Sequence, residues 1–238
     1  MNQGQKRPRS RGNTKRKPEK TWVVVEEYMD ELLMPSDLVL DAARQASAAA
    51  GLPDIAVTPS QGKFLHLLAR MRGARHILEI GTLGGYSTIW LARALPADGR
   101  LITIEADVKH CEVAQANLMR AGVGARVDLR MGDALDLLPE LAAEGLEPFD
   151  FAFIDADKEN TAEYFGWAVR LARPGAAIVV DNVVRDGEVA DARTTDETVQ
   201  GIQRFLDAVA AEPRVSATTL QTVSSKGYDG FTLALVTA

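Results

Sequence analysis

Between residues 76 and 236, short apolar runs alternate with segments of helical spacing, and this alternation constrains the fold more than any other feature of the sequence. Strands are predicted over 76–80, 101–105, 126–130, 151–155 and 177–181, with helices over 85–94, 108–121, 134–144, 159–172 and 195–211 between and after them. Residues 215–221 and 230–236 read as a terminal strand pair. Parallel neighbours need long crossover connections, so the interleaving predicts an α/β fold with a mainly parallel sheet and helices on both faces. In such sheets ligands bind beyond the carboxyl ends of the strands, which directs attention to the residues just after each one.

Ahead of the sheet, helical spacing over 24–34, 38–50 and 63–71 predicts three helices separated by Pro35 and by 51–53. From Trp22 onward there is no repeat and no composition shift, so 21–238 reads as one domain, a helical cap (21–71) on a core (72–238). Residues 1–20 differ sharply. Eight Lys/Arg against Glu19 alone give this arm a charge of +7, whereas the other 218 residues hold 19 basic and 32 acidic side chains, a charge of −13. With no aliphatic or aromatic side chain after Met1, the arm cannot offset its ordering entropy and is predicted to be disordered. It is either a solvated extension of an acidic protein or a contact for nucleic acid or an anionic surface.

Composition removes several classes. Cys111 is the one cysteine, and neither it nor His66, His76 and His110 has the spacing of a zinc site, so a disulfide scaffold and a zinc enzyme are excluded. No apolar run approaches the ~18 residues of a membrane span, and no signal-peptide pattern opens the chain, which gives the expectation of a cytoplasmic protein.

The first strand runs into Gly81-Thr82-Leu83-Gly84-Gly85. Glycines between a strand and a helix permit a tight turn and close backbone approach to a ligand, although a turn made for packing has the same composition. The spacing is not G-x-G-x-x-G, which favours a nucleoside ligand without phosphates over a dinucleotide and speaks against a nicotinamide dehydrogenase. Glu105 ends the second strand roughly two dozen residues later, either as a surface acid or as an acceptor for both hydroxyls of a ribose. Asp133, after the third strand, can cap the next helix, face an adenine amine, or do both. The fourth strand leads into Asp155-Ala156-Asp157-Lys158 and the fifth ends in Asp181-Asn182. If these strands are neighbours, Asp155, Asp181 and Asn182 meet, and two carboxylates with an amide oxygen are hard ligands suited to Mg²⁺, Mn²⁺ or Ca²⁺. The alternative makes both aspartates helix caps and Lys158 half of a surface ion pair.

The segments LEIGTLGGYSTIWLA (78–92), ITIEAD (102–107), FDFAFIDADKENTAEYF (149–165), RPGAAIVVDNVVRDGEV (173–189) and KGYDGFTLALV (226–236) resemble the class I S-adenosylmethionine-dependent, metal-dependent O-methyltransferases of the catechol and caffeoyl-CoA type, particularly their short bacterial members. The resemblance runs from about Val57 to the C-terminus and implies a Rossmann-like, doubly wound, seven-stranded sheet with an antiparallel C-terminal strand. It also implies positions for the cofactor: Glu79, Gly81, Thr82 and Ser87, with Val57, around the methionine end, Glu105 at the ribose, Asp133 and Ala134 beside the adenine, and Asp157 as a further contact. By the same resemblance Asp155, Asp181 and Asn182 are the metal ligands and Lys158 is the general base or a substrate-orienting cation. Asp186 stands where the plant caffeoyl-CoA enzymes carry a substrate-contacting Asn, and the insertion between the third and fourth strands is absent, which argues against a CoA thioester acceptor. The implied activity is methyl transfer to an aromatic vicinal diol by a homodimer, without a membrane partner. Tyr28, Trp167 and the loop 184–195 are candidates for the acceptor pocket, although Trp167 has core spacing with Tyr164 and Leu171. Rival readings are an RNA methyltransferase using the basic arm and a cofactor-binding protein without catalysis.

Overall fold

The computed structural model describes residues 18–238. Three helices come first: α1 (Pro18–Leu33), α2 (Leu38–Ala49) and α3 (Pro59–Arg72). The predicted basic arm lies outside the described residues except for 18–20, which form the first turn of α1. Asp37 starts α2 by accepting the Val39 and Leu40 N–H groups at 3.1 Å. Helix α3 begins a full turn earlier than hydrophobic spacing predicts, because Thr58 accepts the Gln61 N–H at 3.3 Å and Pro59 occupies a first-turn position that needs no donor.

Strands and helices then alternate: β1 (His76–Ile80), α4 (Tyr86–Ala94), β2 (Arg100–Glu105), α5 (Val108–Arg120), β3 (Val127–Met131), α6 (Ala134–Ala143), β4 (Phe149–Ile154), α7 (Thr161–Leu171), β5 (Ala172–Asp181), α8 (Glu197–Ala211), β6 (Val215–Ser224) and β7 (Gly227–Val236). The seven strands form one sheet in the order β3-β2-β1-β4-β5-β7-β6. The five leading strands pair in parallel, and β7 enters antiparallel between β5 and β6. This is the mainly parallel sheet that the interleaving predicts, in the Rossmann-like, doubly wound form that the resemblance implies.

Period-two alternation decides which core each strand side chain joins. Leu78, Ile80, Ile102, Ile104, Ile154 and Ile178 pack on one face with Leu138, Phe165 and Phe205 of α6, α7 and α8. Ile77, Leu101, Phe151, Phe153 and Val179 pack on the other with Leu65, Ile89 and Leu118 of α3, α4 and α5. The winding reverses between β1 and β4, whose last residues Ile80 and Ile154 are paired, so the ends of both strands open onto one crevice. No helix among the described residues is long and apolar enough to cross a membrane.

Candidate functional site

A cavity of about 1050 Å³ opens at that crevice. Its wall contains Val57, Gly81, Thr82, Ser87, Glu105, Asp133, Ala134, Asp155, Asp157, Lys158 and Asn182, eleven of the thirteen residues singled out in the sequence. The other two, Glu79 and Asp181, are buried behind the wall on β1 and β5.

The β1–β2 side is a hydrogen-bonded frame. Gly81 leaves β1 with φ 95°, and a Cβ built there would lie 2.0 Å from the Asp155 carbonyl oxygen, so only glycine permits the strand ends to approach this closely. Glu105 accepts the backbone N–H groups of Thr82 (3.2 Å) and Leu83 (2.8 Å) through Oε2, and that of Asp107 (3.0 Å) through Oε1. It therefore holds the glycine turn rather than hanging free as a surface acid. Beneath the turn, Glu79 Oε2 accepts from the Thr88 hydroxyl at 2.5 Å and the Thr103 hydroxyl at 2.8 Å. The Ser87 hydroxyl also lies close enough to act on this carboxylate, yet Glu79 Oε1 is sealed from solvent without a well-formed hydrogen bond. Burial pushes the Glu79 carboxyl up to about 7, a shift that the hydroxyl donors offset only in part. A buried carboxylate oxygen without a donor is a costly arrangement, and it suits a ligand that supplies a cationic N–H.

Asp133 caps α6 by accepting the Leu135 N–H at 2.8 Å while still forming part of the cavity wall, so the two readings of this residue are compatible. Asp157 accepts from the Tyr164 hydroxyl at 2.5 Å and from the Asn160 amide at 2.7 Å, which fixes its carboxylate at the β4 end.

The β4–β5 side gathers charge instead. Asp155 is bonded to Lys158 Nζ at 2.8 Å, a pair whose side chains are 23% and 12% exposed. The neighbouring Asp181 carboxyl is pushed up first by burial and then by the Asp155 charge. Three contacts pull the other way: Lys158, the Asn182 N–H at 2.9 Å, and the Gln61 amide, which donates to Asp181 Oδ2 at 2.6 Å. Neither aspartate caps a helix. Asn182 sits at φ 58°, a strained conformation for a residue with a side chain. Two neighbouring carboxylates, one of them buried and raised by the charge of the other, form with an amide oxygen a hard donor set that fits a divalent cation.

Sequence reasoning missed Gln61. Thr58-x-x-Gln61 has the pattern of a capping box, but the Gln61 side chain does not return to its own helix start and instead crosses to Asp181. Lys226, in the β6–β7 turn, was missed as well; its Nζ bonds the Ala56 carbonyl, and Ser225 N–H bonds Glu26 of α1, so this turn packs over the 53–57 loop beside the cavity. One acceptor-pocket candidate is corrected: Tyr28 is 62% exposed on α1 and does not join the cavity wall. Trp167 packs against the core on α7, as its spacing with Tyr164 and Leu171 predicts. From the loop 184–195, Arg185 is the residue that joins the wall.

A family model described as O-methyltransferase matches residues 31–236. A catechol O-methyltransferase of Niastella koreensis is 55% identical over 212 residues, covering 89% of this chain and 96% of the relative. An O-methyltransferase of Bacillus cereus, solved with SAH, superposes with a TM-score of 0.90 at 57% identity, over 91% of this chain and 99% of that one. The Streptomyces achromogenes O-methyltransferase TomG, involved in tomaymycin synthesis and solved with SAM, gives 0.91 at 53% identity, over 94% and 100%. With the sheet order, the glycine turn over Glu79 and the Asp155–Asp181 pair in one crevice, these likenesses establish that the chain belongs to the O-methyltransferase family.

Proposed function

We propose that the protein transfers a methyl group from S-adenosylmethionine to one hydroxyl of a catechol-like aromatic vicinal diol chelated by a divalent cation, with Mg²⁺ the leading candidate and Mn²⁺ or Ca²⁺ as alternatives. The observation that carries this reading is the Asp155–Asp181 pair beside Lys158, at the edge of the cavity that the glycine turn also enters.

In this reading Glu79 Oε1 receives the cofactor's ammonium, Gly81, Thr82, Ser87 and Val57 surround its methionine end, and Glu105 accepts the ribose hydroxyls. Asp133 and Ala134 flank the adenine, and Asp157 adds a further contact. Asp155, Asp181 and Asn182 hold the cation. The bound cofactor supplies an electrophilic sulfonium methyl, and the bound cation lowers the pKa of the hydroxyls that chelate it. Lys158 Nζ, held by Asp155 alone among the described carboxylates, would take the hydroxyl proton only as a neutral amine, its own proton having passed to solvent as the cation engages Asp155; as an ammonium it would orient the acceptor instead. The residues around the glycine turn and those holding the cation would align the sulfonium methyl with the deprotonated hydroxyl oxygen, to which it would pass as the cofactor becomes a neutral thioether. Because opposite charges are consumed, alignment of the two groups by preorganised donors would contribute much of the acceleration.

The protein is also proposed to work as a homodimer. Tyr28, Met29, Leu32 and Leu33 of α1 are 52–65% exposed, Leu220 and Val223 of β6 are about half exposed, and α1 lies beside β6, so these side chains are offered as the contact between copies.

The test is incubation with S-adenosylmethionine and a simple catechol, first with Mg²⁺ and then with EDTA, following product by mass spectrometry. Methylated catechol that disappears with chelator is expected. Equal product in excess chelator contradicts the metal assignment, and no product under either condition contradicts the acceptor class.

A further inference from the structure

The loop after β5 is held in an unusual shape. Asn182, Arg185 and Asp186 have φ of 58°, 54° and 54°, and among the described residues the one other non-glycine with positive φ is Leu83. Such conformations persist where the surroundings over-determine them, and they cluster at functional sites. Here β7 provides the constraint: Asp229 Oδ1 accepts the N–H groups of Val184 (2.9 Å) and Arg185 (3.0 Å), and the Gly230 carbonyl accepts that of Val183 at 3.1 Å. The approach is close enough that a Cβ at Gly230 would lie 2.6 Å from Val184 Cγ2.

The clamp fixes Arg185 in the cavity wall three residues after Asn182. Its guanidinium has no carboxylate within ion-pair distance among the described residues. Nη2 donates to the Thr198 hydroxyl at 3.3 Å, and Thr198 in turn donates to Asp196 at 2.6 Å, so Asp196 is linked to the guanidinium through a hydroxyl and not by an ion pair. Nε is shielded from solvent and has no partner. The other cations around the cavity are engaged: Lys158 with Asp155, Lys226 with the Ala56 carbonyl, and Arg44 over the Tyr86 ring at 5.9 Å. A partly desolvated guanidinium without a counter-ion is an unfavourable state that a ligand anion relieves, and its planar fork matches a carboxylate.

We propose that Arg185 is a specificity-determining residue that pairs with an acidic substituent, a carboxylate, on the aromatic diol. This rests on the function proposed above and narrows its acceptor class to anionic diols. The bond lies at the β5 end of the cavity, across from the orphaned Glu79 oxygen on β1.

The experiment measures kcat and KM for 3,4-dihydroxybenzoate and for unsubstituted catechol, with Mg²⁺ and saturating S-adenosylmethionine, in wild type, Arg185→Gln and Arg185→Lys. Calorimetric SAH affinity is measured on the same three proteins. Arg185→Gln is expected to raise the ratio of the two KM values about 10- to 100-fold, the loss of one or two charge-assisted hydrogen bonds, with Arg185→Lys falling between. SAH affinity is expected to change much less than that ratio. An unchanged KM ratio, or SAH binding weakened by the same factor as dihydroxybenzoate, overturns the proposal; the second result would place Arg185 on the cofactor's carboxylate. Wild-type protein that methylates neither diol contradicts the function proposed above and this assignment with it. Wild type active on both diols, with a ratio indifferent to Arg185→Gln, removes this assignment alone.

Discussion

The two sides of the cavity handle their buried acids in opposite ways. On the β1–β2 side, Glu105 is occupied by backbone donors and Glu79 by two threonine hydroxyls, and a single carboxylate oxygen remains unpaired. On the β4–β5 side, burial and the Asp155 charge push the Asp181 carboxyl up, Lys158 bonds Asp155, and Gln61 and the Asn182 N–H bond Asp181. The first side is a preorganised frame that lacks one cationic donor. The second is a charge conflict that one lysine does not fully neutralise, the situation in which a divalent ion contributes most. On the proposed reading, the site is rigid where it would hold the cofactor and electrostatically incomplete where it would activate the acceptor.

The sharpest way to break this contrast is Asp155→Ala. It removes a hard ligand and the partner of Lys158 while leaving the glycine turn and the Glu79 frame in place. Metal-dependent turnover is expected to fall by about 10²-fold or more while SAH still binds, as read by product formation and calorimetry. Comparable losses of turnover and of SAH affinity would show that the two sides are not separable.

Glu79→Gln acts on the opposite side. It removes the negative charge that the orphaned oxygen offers, and SAH affinity is expected to drop about 10- to 100-fold, the scale of a lost charged hydrogen bond. Stability should move in the other direction. The folded Glu79 carboxyl sits at about 7 against its ordinary 4.5, so its contribution to stability is fully present below about pH 4.5 and is lost as pH rises through about 7. The loss is on the order of 3 kcal/mol at pH 8. Ligand-free Glu79→Gln should therefore melt several degrees above wild type at pH 8, with the gap closing toward pH 5. A gap independent of pH would assign the effect to packing instead.

Gln61→Ala gives the smallest effect. Loss of the 2.6 Å bond to Asp181 leaves that carboxylate less well oriented, and Mg²⁺ affinity is expected to weaken about 10-fold with no change in SAH affinity. Unaltered Mg²⁺ binding would make Gln61 a bystander.

The strand ends and the glycine turn were legible in the sequence because local pattern specifies them: apolar runs place the ends, and turn residues follow directly. The adjacency of Asp155 and Asp181 could also be read, since it depends only on β4 and β5 being neighbours. The Gln61–Asp181 contact was not legible, because it spans 120 positions and the local pattern around Gln61 is fully explained by a helix start. The position of Arg185 was hidden for a similar reason, since Asp229 on β7 shapes its loop from 44 residues away. Strand β5 begins at Ala172, five residues earlier than its apolar run predicts, because Ala172 to Gly175 extend the strand at the sheet's exposed end where no hydrophobic signal is required. Tyr28 misled because an aromatic side chain satisfies a core, a surface or a pocket equally well, whereas the helical spacing of Trp167 with Tyr164 and Leu171 correctly marked it as core.

The central claim is that Asp155 and Asp181 form a divalent-cation site independent of the cofactor frame. The most direct measurement is a calorimetric titration of Mg²⁺ into SAH-saturated protein with catechol present, in wild type and in Asp155→Ala. One binding event in wild type, absent from Asp155→Ala although that variant still holds SAH, is the predicted result. No Mg²⁺ binding to wild type, or equal binding to both proteins, would contradict the account.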